Sequence, residues 1–324
     1  MILTATEVRS LLDIATCIDA VEGAFRALAT GDVIPPSLLG SHVPGGGFHV
    51  KTAGMRGERL YYAAKINANF PGNPVSRGLP TIQGVIALFD AESGEVLALL
   101  DSIEITALRT AAASAVAARH LAPPDAHRLT IIGCGTQGRH HARAMLCVRP
   151  ISLIRLADRD ANAAERLAGV LAQEFAGRVE VADDHRAASR ASDIVVTCTL
   201  AREPILDEDD LPIGGFVAAV GADSEDKQEI TTRAMARCGV VVDIIDQCAT
   251  IGDLHHAIAA GAMARSDVRA DLAAVVSNGA RNRFAERETI LFDSTGTALE
   301  DVAVAAIAYE RAMRTGRATM QLGG

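Results

Sequence analysis

The sequence predicts an α/β protein, with a doubly wound parallel sheet across its second half and a mostly antiparallel sheet before it. Three observations carry that prediction. Short apolar runs alternate with helical patterns after Pro123 and Pro124, and the first of these runs opens into a glycine-rich turn. Between Phe48 and Asp101, in contrast, strand-like runs follow one another with only turns between them. A chain of 324 residues accommodates two domains of ordinary size.

Each element has its own signal. The opening MILTATEVRSLL reads as a helix start and not as a signal peptide, because Thr4 and Glu7 have capping-box spacing and no basic segment precedes an apolar stretch. A helical pattern runs through residues 1–30, with Ile18, Val21, Phe25 and Leu28 on one face and Gly31 as its stop. The prolines of VIPPSLL then turn the chain to an extended path. FHVKTAG, LYYAAKIN, TIQGVIALFD and EVLALLD are strands, separated by the turn clusters MRGER, FPGNPVSRG and AESGE. ITALRTAAASAVAARHLA is a long alanine-rich helix ended by Pro123 and Pro124.

Beyond that break LTIIGCG is a strand, TQGRHHARAMLCV a helix, ISLIRLAD a strand, ANAAERLAGVLAQEF a helix and VEVAD a strand. RAASRA, DIVVTCT, GGFVAAVGAD and GVVVDII continue the series. Such alternation implies right-handed crossovers and a parallel sheet covered on both faces. The terminal TALEDVAVAAIAYERAMRTG is an amphipathic helix outside the alternation, expected to pack back on the first domain.

Composition narrows the function. The formal net charge is −9, there is no basic run, and the aromatics are three Tyr, eight Phe and no Trp. Nucleic acid and membrane are therefore poor partners. No apolar stretch approaches the roughly 18 residues of a membrane span. The six cysteines lack C-x-x-C spacing and read as core residues of a reducing cytoplasm. No metal is expected. His140–His141 and His255–His256 are adjacent pairs that point apart on a helix, and the acidic run at 207–210 reads as a solvated loop.

The sharpest motif is Gly133-Cys134-Gly135-Thr136-Gln137-Gly138, set between an apolar strand and a helix. Gly133 permits the tight turn, Gly135 lets a pyrophosphate approach the backbone, and Gly138 allows close helix–strand packing. The amides at the start of the helix and its positive dipole end favour phosphate. That is the signature of a Rossmann dinucleotide-binding domain. Asp158 closes the second strand, where a carboxylate grips ribose hydroxyls and favours NAD(H), although it also suits a helix cap. Arg159 beside it keeps NADP(H) open. Thr197, Thr199 and Val220, at the ends of later strands, join the candidate cofactor residues.

Several longer stretches are more specific. Lys65-Ile66-Asn67, the NFPGN turn at 69–73, LPTIQGVIALFD at 79–90 and LLDSIEITALRTAAASAVAARHLA at 99–122 resemble the ornithine cyclodeaminase/mu-crystallin family. VGADSEDKQEI at 220–230 and FDSTGTALEDVAVA at 292–305 do so as well, in the family's order. The resemblance implies a discontinuous α+β substrate-binding and dimerisation domain from residues 1–121 and 296–324, a Rossmann domain from 122–295, and a homodimer. The family's members include ornithine cyclodeaminase, alanine dehydrogenase, cyclic imino-acid reductases and a crystallin.

The resemblance also suggests roles. Lys65, in an otherwise apolar strand, must reach solvent or have an anionic partner; it matches the family lysine on the substrate carboxylate. Arg109 matches a carboxylate-binding arginine, with a structural ion pair as the competing explanation. Thr110 follows it towards the nicotinamide. Asp223 matches the aspartate beside the reacting nitrogen, where it holds an iminium or relays a proton. His49 stands near the acidic residue that holds the side-chain amine of ornithine, and Lys51 lies two residues on. These cations disfavour a diamino substrate and suit a small imino or amino acid with only a carboxylate to bind. A half-buried histidine satisfied by its tautomer is the other reading of His49. Ser37 stands where many members carry arginine. The expected activity is an NAD(P)H-dependent reductase of a cyclic imino acid. Alanine-type dehydrogenation, ornithine cyclodeamination and non-catalytic binding are its alternatives.

Overall fold

The computed structural model describes residues 1–278, 284, 285 and 287–316. The last residues of the expected first domain, 317–324, lie outside the described residues. Contacts divide the chain into two units, Met1–Arg109 with the chain from Thr297 on, and Thr110–Gly296.

The first unit is built on a six-stranded sheet in the order β1-β6-β5-β4-β3-β2. Its strands are β1 (Ile2–Leu3), β2 (Val33–Val43), β3 (Gly46–Arg56), β4 (Leu60–Asn69), β5 (Ile82–Asp90) and β6 (Val96–Asp101). All neighbours are antiparallel except β1 and β6. The N-terminal segment is therefore not a single helical pattern. Ile2 and Leu3 pair with Leu99 and Leu100, and two helices follow, α1 (Ala5–Leu11) and α2 (Ile14–Thr30). Thr4 and Glu7 form the expected capping box on α1, and Asp13 caps α2 through the amide of Thr16. Gly31 ends α2 at φ 77°, a left-handed conformation that glycine adopts without a Cβ penalty.

Pro35 and Pro36 fall on the edge strand β2, where the register with β3 shifts between Ile34 and Ser37. An edge tolerates residues that cannot donate to a ladder. The turn segment FPGNPVSRG contains a short helix, α3 (Asn73–Arg77).

Strand alternation separates the two faces of this sheet. On one face β3 and β4 place His49 opposite Asn67, Lys51 opposite Lys65 and Ala53 opposite Ala63. The terminal helix α12 (Ala298–Arg314) packs against the sheet and against α2. On the other face Leu39, Val50, Ile66 and Val85 stand directly opposite one another across four strands. Leu39, Ile66 and Val85 in that row are 64%, 43% and 38% exposed.

The second unit holds an eight-stranded sheet, every neighbouring pair parallel, in the order β13-β12-β14-β11-β10-β7-β8-β9. Its strands are β7 (Arg128–Ile132), β8 (Leu153–Ala157), β9 (Arg178–Val181), β10 (Ile194–Thr197), β11 (Phe216–Ala219), β12 (Gly239–Val242), β13 (Ala270–Asp271) and β14 (Ile290–Asp293). The intervening helices are α5 (Thr136–Val148), α6 (Ala161–Glu174), α7 (His185–Arg190), α8 (Thr232–Arg237), α9 (Ile245–Ile251), α10 (Asp253–Ala259) and α11 (Leu272–Asn278). This is the doubly wound parallel sheet that the alternation predicts. From β7 the chain runs outward through β8 and β9, then returns to the other side of β7 with β10. The strand order reverses there, which opens a crevice at the carboxyl ends of β7 and β10.

The division between the units falls within α4 (Ser102–Leu121), between Arg109 and Thr110. The carboxyl end of α4 is capped by a distant side chain: Arg149 donates to the carbonyls of Ala118, Arg119, Ala122 and Pro123. His141 of α5 is fully buried and lies 3.0 Å from the Ser114 hydroxyl of α4, while its Nδ1 donates to the Gln137 carbonyl. Burial holds its imidazole down to about 4, so it is a neutral packing residue.

Candidate active site

The switch point carries a cleft of about 590 Å³. It is lined by the residues that follow four successive strands: Gly133 and Gly135 after β7, Asp158 and Arg159 after β8, Ala182 and Asp183 after β9, and Cys198 to Ala201 after β10. Five of the residues singled out from sequence, Gly133, Gly135, Asp158, Arg159 and Thr199, thus meet in one place.

The turn itself has no room for side chains. Gly133 has φ 104°, and a Cβ there would come within 2.7 Å of the Cys198 carbonyl oxygen. A Cβ on Gly138 would lie 2.1 Å from the Gly133 carbonyl oxygen, so the helix can start this close to the strand only with hydrogen at that position. Gly135 is the N-cap of α5 and offers no capping side chain; a Cβ there would meet nothing within 4 Å. Thr136 and Gln137 form the first turn of α5. An open glycine backbone at an uncapped helix N-terminus suits a pyrophosphate.

Asp158 does more than line the cleft. Its Oδ2 accepts the Cys134 amide at 2.6 Å and its Oδ1 accepts the Asp160 amide at 2.8 Å. The cap of α6 is Asp160, not Asp158. Asp158 therefore pins the glycine turn from the neighbouring strand while lining the cleft.

Two candidates are placed elsewhere. Thr197 is fully buried and outside the cleft lining, with its hydroxyl donated to Glu229 at 2.6 Å. Val220 is also outside the lining and donates its amide to the Thr197 carbonyl. Strand position alone suggested both; Thr197 is buried at the end of β10 and Val220 is half-buried just after β11. The lining residues Asp183, His185 and Leu200 carry no distinguishing sequence signal, since only the fold brings the ends of β9 and β10 to the cleft.

The second cluster lies within the first unit. Lys65 is 3% exposed and its Nζ stands 2.6 Å from Asp301 Oδ2. Arg109, 7% exposed in its side chain, contacts Asp301 Oδ1 through Nε at 3.1 Å and donates through Nη1 to Glu300 Oε2 at 2.8 Å. Lys51 and His49 occupy the same sheet face, opposite Lys65 and Asn67. Burial pushes the Lys65 ammonium down to about 7, with Asp301 pulling the other way and Arg109 and Lys51 adding repulsion. Burial alone would raise the Asp301 carboxyl, but Lys65 and Arg109 outweigh it and hold it below the usual carboxylate range. The anionic partners Asp301 and Glu300 escaped the sequence reading, because they sit in an unremarkable acidic pair at the start of a distant helix.

Asp223 is on the loop after β11, in the second unit. Its side chain is 48% exposed, and Lys227, four residues on, holds its Oδ1 at 2.5 Å. Among the described residues no group of His, Cys, Asp or Glu side chains is arranged to hold a metal. The acidic run at 207–210 is occupied by arginines: Arg233 pairs with Asp207, Arg237 with Glu208 and Arg190 with Asp210. The Cys134 thiol, on the glycine turn, is raised to about 12 by burial and is not a nucleophile.

A parallel sheet with a glycine-turn cleft at its switch point defines a Rossmann-type α/β protein. A model of the ornithine cyclodeaminase/mu-crystallin family matches residues 1–316, and the chain belongs to that family. An uncharacterized cyclodeaminase of Sinorhizobium fredii is 40% identical over 320 residues, covering 96% of this chain and 95% of that protein. A solved archaeal alanine dehydrogenase dimer with bound NAD is 31% identical, with a TM-score of 0.94 over 100% of this chain and 99% of that one. The Δ1-pyrroline-2-carboxylate reductase of Thermococcus litoralis, solved with NADH and L-proline, is 28% identical, with a TM-score of 0.93 over 99% of both chains.

The glycine turn predicts its own test. Gly138→Ala places a methyl against the Gly133 carbonyl and should weaken NADH binding at least about tenfold, in line with the loss of a well-made phosphate contact. Titration followed by NADH fluorescence checks this, and unchanged affinity would show that the turn does not carry the dinucleotide.

Proposed function

We propose that the protein is an NAD(H)-dependent reductase of a small cyclic imino acid, Δ1-pyrroline-2-carboxylate or Δ1-piperideine-2-carboxylate, giving L-proline or L-pipecolate. The observation that carries this reading is the buried cationic cluster of Lys65 and Arg109, with Lys51 and His49 on the same sheet face. It suits a carboxylate. Strand β3 contributes no acidic residue to hold the distal ammonium of a diamino acid, which counts against ornithine. The match to the Thermococcus litoralis reductase supports the cyclic imino acid, and the match to the archaeal alanine dehydrogenase supports acyclic dehydrogenation as a second reading.

A reduced nicotinamide bound at the glycine turn supplies the hydride. Gly133, Gly135 and the first turn of α5, with Thr136 and Gln137, take the pyrophosphate. Asp158 takes the adenosine ribose and disfavours a 2′-phosphate, so NAD(H) is the expected form. Lys65 and Arg109 hold the substrate carboxylate, and Arg109 orients it as well, because a planar guanidinium fixes a carboxylate where an ammonium only attracts it. The reaction forms a C–H bond at the imine carbon and moves the π pair of C=N onto nitrogen, which ends with one added proton. Asp223 stands beside that nitrogen, favouring the protonated imine and relaying its proton. Its contact with Lys227 holds the carboxylate in place between turnovers.

The reading also includes a homodimer. The row Leu39, Val50, Ile66 and Val85, exposed except at half-buried Val50, is a continuous apolar strip across four strands, and a second copy of the chain covers it. Replacing Ile66 with Asp should convert dimers to monomers in analytical ultracentrifugation with the far-UV spectrum unchanged. A wild-type monomer, or a variant that stays dimeric, would reject this surface.

Oxidation of NADH at 340 nm with Δ1-pyrroline-2-carboxylate tests the reaction directly. Asp223→Asn should lower kcat by about two to four orders of magnitude, the usual weight of acid–base assistance, with NADH affinity retained. Turnover of pyruvate with ammonia and none of the cyclic imine would select the alanine-type reaction.

The pH profile supplies a further check. Lys65 is charged below about 7 and neutral above it, and kcat/KM reports the free enzyme. The value of kcat/KM for the imino acid should therefore fall as pH rises through neutrality, and that limb should vanish in Lys65→Arg. A wild-type profile flat into the alkaline range would exclude Lys65 as the titrating cation.

A further inference from the structure

Asp223 sits on the loop between β11 and α8, and a buried side chain near the end of that loop ties it to its neighbour. Glu229 is fully buried. Its Oε2 accepts the Thr197 hydroxyl at 2.6 Å and the Gly221 amide at 2.8 Å, and its Oε1 accepts the Thr199 amide at 2.6 Å. These three donors come from two different loops. Thr197 and Thr199 bracket the exit of β10, and the chain from Cys198 to Ala201 then lines the cleft. Gly221 opens the Asp223 loop.

Further bonds hold the same junction. Gln228 donates its amide to the Ala201 carbonyl at 3.0 Å, and Asp253 Oδ1 accepts the amides of Glu229 and Ile230 at 2.9 and 3.0 Å. A Cβ at Gly221 would lie 2.5 Å from both the Glu229 carboxyl and the Thr199 carbonyl oxygen. The two loops therefore meet with no space for a side chain, and a carboxylate fills the seam. Burying that carboxylate has a cost, visible in the upward push that burial gives its pKa. An apolar residue would avoid that cost, but it could not accept donors from both loops at once.

We infer that Glu229 is a positioning residue, which sets the cleft-lining loop and the Asp223 loop in one arrangement so that dinucleotide and acid–base group are placed together. The inference rests on the reading of Asp223 and the cleft given above. Neither loop can shift alone without leaving a buried donor unmatched.

Glu229→Gln tests it. The amide keeps the shape but turns one acceptor into a donor facing a donor. The variant should keep its far-UV spectrum and a cooperative melt. Its kcat for the imino acid should fall about a hundredfold, the effect of an ångström-scale misplacement, with KM for the imino acid moved less than about threefold and NADH affinity weakened. Added to Asp223→Asn, it should cost little more, because coupled residues are non-additive. A stabilising role alone would leave the two losses to multiply. The inference is overturned if Glu229→Gln turns over at the wild-type rate while Asp223→Asn is inactive, or if the two losses multiply. Should Glu229→Gln fail to fold, Thr197→Val removes one of the three donors and should still lower kcat about tenfold; a full rate in that variant overturns the inference. Failure of the reaction itself is separately visible, as a wild-type protein inactive on the imino acid or an Asp223→Asn variant at full rate. NADH affinity of Glu229→Gln then decides the matter, and an unchanged value rejects the positioning role.

Discussion

A charge removed from water must be matched where it lies, and that requirement organises both units of this protein. In the parallel-sheet unit the buried charges are carboxylates, and they are matched by N–H and O–H donors. Asp243, at the end of β12, accepts the amides of Ile244, Thr295 and Gly296. Asp293, at the end of β14, accepts those of Asp253 and Leu254, and Asp253 in turn accepts those of Glu229 and Ile230. Each of these four acids is fully buried. They form a chain along the carboxyl edge of the sheet, where strands end and loops begin with unpaired backbone donors. Burial and mutual repulsion keep some of them protonation-prone, with Asp293 raised to about 7, yet each accepts backbone amides that would otherwise be left unsatisfied.

The other unit inverts the arrangement. There the buried groups are cations, Lys65 on a strand and Arg109 on a helix, and carboxylates match them. Glu300 and Asp301 lie in the first turn of α12, where a helix dipole favours negative charge. Glu300 also closes the capping box with Thr297. The start of α12 is thereby fixed by its own backbone before it meets the sheet, so the two carboxylates are presented in place. Asp301 touches both cations and orients them relative to each other. Removing one partner of such a set leaves an uncompensated buried charge, which is costlier than the pair was favourable.

This explains which parts of the molecule could be read from the chain. Periodicity identifies β7, α5, β8 and α6 almost to the residue, and the glycine spacing locates the switch point, because both are local patterns. Thr4, Glu7 and Gly31 mark helix ends for the same reason. Strand β1 is invisible locally: two residues pair with Leu99 and Leu100 across the sheet. Strand β14 is a four-residue apolar run whose neighbours β11 and β12 are far away in sequence. The matched charges are the hardest to foresee. Nothing near Glu229 distinguishes it from the exposed Glu225, and nothing near Asp301 announces Lys65. Resemblance to a family pointed to Lys65, Arg109 and Asp223, but not to the groups that hold them.

Charge balance also bears on the proposed substrate. With Lys65 protonated, it and Arg109 carry two positive charges and Glu300 and Asp301 two negative ones, so this buried set is then neutral by itself. A substrate carboxylate brought to it would leave one negative charge uncompensated in a place where burial makes charge expensive. Lys51, directly opposite Lys65 on the same face, adds a positive charge for the carboxylate to meet. Before that, it adds to the repulsion that depresses Lys65. A neutral amino compound would gain nothing from the arrangement. A diamino acid with a free distal ammonium would meet Lys51 and His49 as like charges or as competing donors. On the proposed reading the cluster selects a monoanion through the cations gathered on one sheet face.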